Sequence, residues 1–126
     1  MITVKSKEAK FLMEVSNGTY SFEGDVPAAN GGSGQYVSPF ELLRAAFACC
    51  LNVTTRAILD KRNIAYKEVE VQVDLEEKDG TLTFAHKIII DAELSDSDKA
   101  KYAQMAFAGC HVHKALEGKI VFGAKL

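Results

Sequence analysis

The stretch that decides the fold is SPFELLRAAFACCLNV, residues 38–53. Ser38 is a good N-cap residue, and Pro39 suits the first position of a helix. Glu41 stands three residues after Ser38, the spacing at which a glutamate completes a capping box. An alanine-rich run follows directly, so the stretch predicts the start of a long helix.

This helix is expected to carry one apolar stripe. It should run to about Asp60 or Arg62, and Asn63 can end it. Residues at helical spacing form the stripe, which comprises Leu43, Ala46, Phe47, Cys50, Thr54, Ala57 and Ile58. Its small alanines allow another element to approach closely, and Cys50 is therefore predicted to face that element.

A second thiol stands in AGCHVHKAL, residues 108–116, between one predicted helix and the restart of another. Gly109 is expected to loosen or end the first of these helices. Cys110 then precedes the restart, and the start of a helix can lower the pKa of a thiol. Two thiols on apolar helical stripes could meet inside one core, which favours a redox or thiol-catalytic site. Simple packing of buried cysteines is the alternative.

The remaining segments alternate between strand and helix patterns. A strand-pair pattern with a break near Lys7 precedes an Asn-Gly turn, a returning strand and a Gly-rich loop. A long antiparallel hairpin follows the first helix, and Ser95 begins a second helix with Ala100, Ala103, Phe107 and Cys110 on one face. The predicted ranges are Ile2–Val15, Tyr20–Glu23, Gly24–Val37 (loop), Glu68–Leu75, Thr81–Leu94 and a last strand at Lys119–Phe122. The order predicts a single α+β domain over residues 1–126.

Composition narrows the function classes. A net charge of −2 gives no electrostatic case for binding nucleic acid. No run reaches the roughly 20 apolar residues of a membrane span, and the first residues lack the apolar core of a signal peptide. We therefore expect a cytoplasmic protein, where stable disulfides are uncommon. Three cysteines also argue against a purely structural disulfide framework.

The ordered motifs resemble the OsmC/Ohr family of thiol peroxidases. The first shared feature is a Gly/Asn-rich loop followed by Ser-Pro-x-Glu-Leu-Leu and an alanine-rich run that reaches Ala-Cys, here Ser38 to Cys50. The second is the long hairpin after that helix. The third is Gly-Cys-x-Val-x-x-Ala-Leu at residues 109–116. The likeness covers roughly residues 28 to 123. It implies an OsmC/Ohr-like fold, with antiparallel sheets around a long central helix. It also implies an intertwined homodimer with two active sites built from both chains.

The resemblance also implies a reaction. Cys50 matches the thiol that attacks an organic hydroperoxide and becomes a sulfenic acid, and Cys110 matches the resolving thiol that closes a disulfide. A dithiol reductant, lipoyl-type in the Ohr branch, restores both thiols. No cofactor is needed.

The chain departs from the peroxidase pattern in its charged groups. Phe40 stands where the family usually has a glutamate. Glu41 precedes Cys50 by nine residues, or about 900° of helix rotation, which places the two side chains on opposite faces of the helix. This placement favours a capping role for Glu41. No arginine precedes Arg44, which leaves Lys5 and Lys10 as substitutes for the family's arginine. A non-enzymatic or weakly active dimer that binds a small ligand is therefore the alternative. A structural protein with inert cysteines is a third reading.

Further side chains near the two thiols allow several interpretations. Cys110, His111 and His113 invite a metal site, but Cys-x-x-Cys is absent and we predict no metal. We expect the two histidines to be partly exposed, or one of them to tune Cys110 by proximity. His111 stands where the family often has a proline. Structural roles are expected for Cys49, which could also be a bystander thiol, and for His86. The aromatic residues Tyr36 and Phe47 line either a hydroperoxide pocket or the core.

Overall fold

The computed structural model describes residues 1–124. It divides into two compact units, Met1–Leu43 and the chain from Arg44 onward. The boundary falls within the first long helix, so that helix begins in the first unit and continues through the second.

The first unit contains a three-stranded antiparallel sheet in the order β1-β2-β3. Strands β1 (Thr3–Ser6), β2 (Met13–Ser16) and β3 (Ser21–Gly24) agree with the predicted strands. The β2–β3 turn is the predicted Asn17-Gly18, in which Gly18 has a φ of 94°. This left-handed conformation explains the glycine, because it costs glycine no Cβ clash.

The loop after β3 is organised around the buried Asp25. Its carboxylate accepts hydrogen bonds from the backbone N–H of Val26 at 2.7 Å and of Ser33 at 2.9 Å, and from the Ser33 hydroxyl. These bonds lower the pKa of Asp25, the Ser33 side chain first among them. A Cβ on Gly32 would lie 2.2 Å from the Val26 carbonyl oxygen, so the loop closes only with glycine there.

Helix α1 (Pro39–Lys61) begins and ends where the sequence predicts. The backbone N–H of Ser38 donates to Glu41 Oε2 at 2.7 Å, and the Glu41 N–H lies 3.4 Å from Ser38 Oγ, which confirms the capping box. Asn63 follows the last turn with a φ of 55°. Glu41 is thus a capping residue, as its spacing from Cys50 indicated.

The orientation of the predicted apolar stripe is wrong by about one residue. The residues that are buried recur every fourth position and are Phe47, Leu51, Thr55 and Leu59. Of the predicted stripe only Phe47 is among them; Ala46 and Ala57 are exposed, and the others are half-buried. One residue corresponds to about 100° of rotation. The hairpin packs against the Leu51 side of the helix, which hydrophobic spacing alone did not specify.

The hairpin of β4 (Glu68–Lys78) and β5 (Thr81–Asp91) supplies the surface that faces α1. Val69 pairs with Ile90, and Leu75 with Phe84. Alternate residues of β4 point inward, as the period of two predicts. The hairpin side chains complete two apolar clusters, one around Phe47, Leu51 and Cys110, the other around Leu59, Val69 and Ile90.

Two helices follow the hairpin. Helix α2 (Asp96–Gly109) begins at the predicted N-cap, where Ser95 Oγ accepts from the Asp98 N–H at 3.1 Å. Helix α3 (His111–Glu117) begins directly after Cys110. The predicted face of α2 is only partly right, because Cys110 and Ala106 are buried whereas Ala100 is exposed.

The predicted last strand is wrong within the residues that the structure describes. Lys119–Ala124 has no strand, and Val121 and Phe122 are 76% and 94% exposed. A strand requires a neighbouring edge to pair its backbone groups. The apolar pattern of this segment thus marks a surface and not an internal strand.

Helix α1 is long and apolar enough to cross a membrane by length and average composition, although no continuous apolar run spans it. Core helices of soluble proteins meet the same test. Here Phe47 and Leu51 of α1 pack in a cluster with the hairpin.

Candidate functional site

Cys50 and Cys110 lie in the same apolar cluster of the second unit. Cys110 is fully buried, and Cys50 is half-buried at its edge. The hairpin and the ends of α2 and α3 supply the surrounding side chains, which are Val71, Val73, Phe84, Ile88, Phe107 and Val112. The two thiols therefore meet in an apolar setting, as their positions on the two helices suggested.

Cys110 occupies the junction between α2 and α3. Its backbone N–H donates to the Phe107 carbonyl at 3.3 Å, closing the last turn of α2. Its sulfur accepts from the backbone N–H of His113 at 3.4 Å, so the thiol is the N-cap of α3. The backbone here is extended, with φ −70° and ψ 116°. A single residue thus separates the two helices and directs its thiol inward.

The environment of Cys50 favours its thiolate. Burial acts to raise the pKa of Cys50, but hydrogen bonds from the Val112 N–H, the Cys110 thiol, the His111 N–H and the Thr54 hydroxyl outweigh it and lower the pKa. All four of these donors are neutral. The thiolate is the nucleophilic form of cysteine, so these donors increase the reactive fraction at a given pH.

Cys110 shifts the other way, contrary to the sequence-based expectation. Burial raises the pKa of Cys110 and the contact with Cys50 raises it further, which together outweigh the backbone donors of His113 and Val112. The expectation was wrong because the N–H groups at the start of α3 serve two sulfurs, and the deeper one is more strongly desolvated. Of the two thiols, Cys50 therefore ionises more readily than Cys110.

Sequence reasoning placed Thr54 on the stripe of Cys50 without giving it a role at the thiol, and it missed the first two N–H groups of α3. Thr54 lies four residues after Cys50 on α1, where side chains are neighbours on a helix. Its methyl group would stand 3.4 Å from a Cβ at Gly109, so the end of α2 approaches α1 closely here. The spacing of four was a usable signal for Thr54. No sequence signal pointed to the backbone N–H groups of His111 and Val112.

Three rings stack beside the thiols. The His113 ring lies 3.9 Å from the Phe107 ring, and His86 covers the opposite face of Phe107 at 4.8 Å. His113 Nδ1 is 3.1 Å from the Phe107 carbonyl oxygen, and Glu117 Oε1 is 2.8 Å from Nε2. The latter pair lacks hydrogen-bond geometry, so it is a close contact only. The pKa of His86 is lowered, chiefly by burial and secondarily by His113.

The histidines have no metal-binding arrangement in the described part of the chain. His111 is exposed at the start of α3, and His113 faces Phe107. They stand two apart on a helix and not on a strand, so they point in different directions. Among residues 1–124, His, Cys, Asp and Glu form no group of three or more that could hold a metal ion.

The first unit has its own charged cluster. Lys7 forms an ion pair with Glu23, and the Tyr36 hydroxyl hydrogen-bonds to the same carboxylate. The Lys7 bond, followed by the Tyr36 bond, lowers the pKa of Glu23. The lysine in this cluster is Lys7, which directly follows β1. Sequence reasoning named Lys5 and Lys10 as substitutes for the family's arginine and did not single out Lys7. Lys10 lies over the ring of Phe11 at 5.1 Å.

Comparison with known protein families identifies the family of this chain. The sequence profile described as OsmC-like protein matches residues 32–125, three quarters of the chain. The chain belongs to the OsmC-like protein family. The match includes helix α1, the hairpin, Cys50 and Cys110, and it confirms the family resemblance proposed from the sequence.

Individual relatives agree with the assignment. An organic hydroperoxide resistance protein-like chain of Staphylococcus aureus strain USA300 is 32% identical over 101 residues, 75% of this chain and 71% of the relative. The crystal structure of an OsmC-like protein from Mycoplasma pneumoniae has a TM-score of 0.78 at 16% identity, covering 94% of this chain and 86% of its own. An organic hydroperoxide resistance protein OsmC from Legionella pneumophila gives 0.66 at 18% identity, covering 94% and 90%. The α+β architecture is therefore that of OsmC/Ohr proteins.

Proposed function

We propose that this OsmC-like protein is a thiol-dependent peroxidase that reduces organic hydroperoxides. Cys50 is the attacking thiolate, and Cys110 is the resolving thiol. The supporting observation is the opposite shift of their pKa values within one cluster, lower for Cys50 and higher for Cys110. The names of the S. aureus and L. pneumophila relatives, organic hydroperoxide resistance proteins, support hydroperoxide as the substrate class.

The first step transfers one oxygen atom. The Cys50 thiolate attacks the terminal oxygen of ROOH, the O–O bond breaks, and a proton converts the leaving alkoxide to ROH. Cys50 becomes a sulfenic acid, which is a two-electron oxidation. Neutral donors around the sulfur favour the thiolate without placing a cation at the site.

The second step uses the coupling between the thiols. Once Cys50 is a neutral sulfenic acid, the negative charge that raised the pKa of Cys110 is gone. The Cys110 thiol can then give up its proton and attack the Cys50 sulfur, forming the disulfide and releasing water. A dithiol reductant reduces this disulfide and is itself oxidised to a disulfide. No bound cofactor takes part.

We infer that the protein acts as a single-domain homodimer in the cytoplasm. Helix α1 leaves Phe40 and Val53 56% and 63% exposed, and the segment at Ile120–Phe122 exposes three large apolar side chains. Apolar surface of this kind is typical of protein interfaces. A second copy of the chain is the occupant that the family resemblance implies. Free thiols in the cytoplasm would remain reduced between turnovers.

One observation favours the alternative, a small-ligand-binding dimer with little or no peroxidase activity. Phe40 stands at the position of the family's glutamate, and the Glu41 carboxylate accepts from the Ser38 N–H in the cap of α1. The donors at Cys50 are neutral, and none of them is a cation of residues 1–124. In this alternative Cys50 would bind a ligand or thiol without breaking an O–O bond.

The test compares two neighbouring cysteines. Cys50→Ser should reduce turnover of cumene hydroperoxide with a dithiol to the uncatalysed rate, because serine supplies no thiolate. Cys49→Ser is the matched control and should retain the wild-type rate, since Cys49 is exposed. Wild-type turnover by Cys50→Ser would contradict the proposal. Absence of turnover in the wild-type protein itself, with ligand binding retained, would favour the alternative.

A further inference from the structure

His113 connects the two helices that flank the resolving cysteine. Its side chain reaches back to the last turn of α2, where Nδ1 lies 3.1 Å from the Phe107 carbonyl oxygen. Its backbone N–H, in the first turn of α3, donates to the Cys110 sulfur at 3.4 Å. The same residue therefore contacts the end of one helix and the thiol that begins the next.

The Phe107 carbonyl is the anchor of this connection. It already accepts from the Cys110 N–H at 3.3 Å, and a carbonyl oxygen can accept a second bond because it has two lone pairs. A carbonyl only accepts, so the proton in this contact is on His113 Nδ1. Stacking of the His113 ring on the Phe107 ring at 3.9 Å holds the imidazole in the orientation that the bond requires.

We propose that His113 is a positioning residue that fixes the α2–α3 junction so that the Cys110 thiol stays beside Cys50. The inference rests on the proposed role of Cys110 as the resolving thiol. Without the Nδ1 bond, the Phe107 carbonyl would accept from the Cys110 N–H alone, and the thiol would sample orientations away from Cys50. Pre-ordering two groups raises the rate and equilibrium constant of their reaction, because less freedom is lost when they combine.

The equilibrium of the Cys50–Cys110 disulfide tests this role without requiring peroxidase activity. In a glutathione buffer, two glutathione thiols and the protein disulfide exchange with glutathione disulfide and the protein dithiol. The equilibrium constant gives the effective concentration of the two protein thiols. All proteins carry Cys49→Ala, which removes the exposed third thiol.

Three variants separate the Nδ1 bond from the stacking. His113→Phe keeps a ring against Phe107 and removes the donor, and it should lower the effective concentration about fivefold to tenfold. His113→Asn retains an N–H donor at a similar position and should restore it to within about twofold. His86→Phe makes the same change on the other face of Phe107, where the imidazole has no bond to the carbonyl, and should leave it unchanged.

The outcomes are distinguishable from those of the proposed function. An effective concentration in His113→Phe within twofold of the parent would overturn the positioning role and leave the peroxidase proposal intact. If the effective concentrations rank as predicted but the protein turns over no hydroperoxide, the positioning role is supported and the peroxidase proposal is contradicted. Absence of any disulfide in the parent would overturn both. Thermal melting checks that each variant is folded.

Discussion

At the start of α1, oxygen atoms accept the free backbone N–H groups, whereas at the start of α3 sulfur atoms do so. Ser38 Oγ and Glu41 Oε2 form the cap of α1. The Cys110 sulfur caps α3, and the N–H groups of His111 and Val112 serve Cys50. Each helix leaves its first N–H groups without partners inside the helix. Their acceptors decide whether the helix start only stabilises the fold or also changes the acidity of a thiol.

The two sulfurs at α3 also differ from each other. The half-buried Cys50 receives donors from two helices and its pKa is lowered, whereas burial raises the pKa of Cys110. An attacking thiol must be ionised and reachable, and a resolving thiol must remain protonated until the first has reacted. The two positions at one helix start therefore differ in the direction that the two steps of the proposed reaction require.

The largest effect is expected from Cys110→Ser. Serine is a good N-cap, so α3 should still begin at His111, and the first step at Cys50 should continue. Catalytic turnover with a dithiol should fall to a few per cent or less of wild type. One equivalent of hydroperoxide should leave Cys50 as a sulfenic acid that dimedone traps, measured by mass spectrometry. Undiminished turnover would show that Cys110 is not the thiol that reacts with the Cys50 sulfenic acid.

A smaller effect is expected from Thr54→Val, which keeps the shape and removes the hydroxyl donor. Loss of one hydrogen bond of about 0.5–1.5 kcal/mol should raise the Cys50 pKa and slow alkylation of Cys50 by iodoacetamide about twofold to tenfold at a pH below that pKa. Thr55→Val is the neighbouring control, because Thr55 Oγ1 donates to the Leu51 carbonyl and not to sulfur. Equal rates of Cys50 alkylation in Thr54→Val and wild type would show that the Thr54 hydroxyl does not lower the pKa of Cys50.

The smallest effect on reactivity is expected from Ser38→Ala, at the oxygen-capped helix. Loss of the cap should cost about 1 kcal/mol of the free energy of unfolding, measured by urea denaturation. Alkylation of Cys50 should stay within twofold of wild type, because Ser38 donates nothing to that sulfur. A large change in Cys50 reactivity would mean that the two helix starts are not independent.

The sequence was sufficient for features that depend on neighbouring residues. Ser38, Pro39 and Glu41 act within one turn and defined the start of α1, and alternating residues defined the hairpin. Features that depend on distant partners were missed or wrong. The stripe of α1 is rotated toward Leu51 because the hairpin packs there, and the apolar Ile120–Phe122 forms no strand in the described part of the chain.

In the candidate site, too, features that depend on a local motif could be predicted and features that depend on distant partners could not. Cys50 and Cys110 could be named from their motifs, but the direction of the Cys110 pKa could not, because burial depends on the assembled cluster. The stack of His86, Phe107 and His113 joins β5, α2 and α3. No local pattern in the sequence connects three such elements, so the stacking of His113 on Phe107 could not be predicted, although an influence of a histidine on Cys110 was one of the interpretations of the motif.

The most direct measurement is the pH titration of Cys50 in the Cys49→Ala protein, from thiolate absorbance at 240 nm and from alkylation followed by mass spectrometry. Unfolding in denaturant provides the reference. The folded pKa of Cys50 should lie below the ordinary thiol value of about 8.5. Its ionisation then stabilises the fold above the unfolded pKa, and this contribution is lost as the pH falls through the folded pKa. A folded midpoint at or above that of the unfolded chain would contradict the activation of Cys50 by the start of α3.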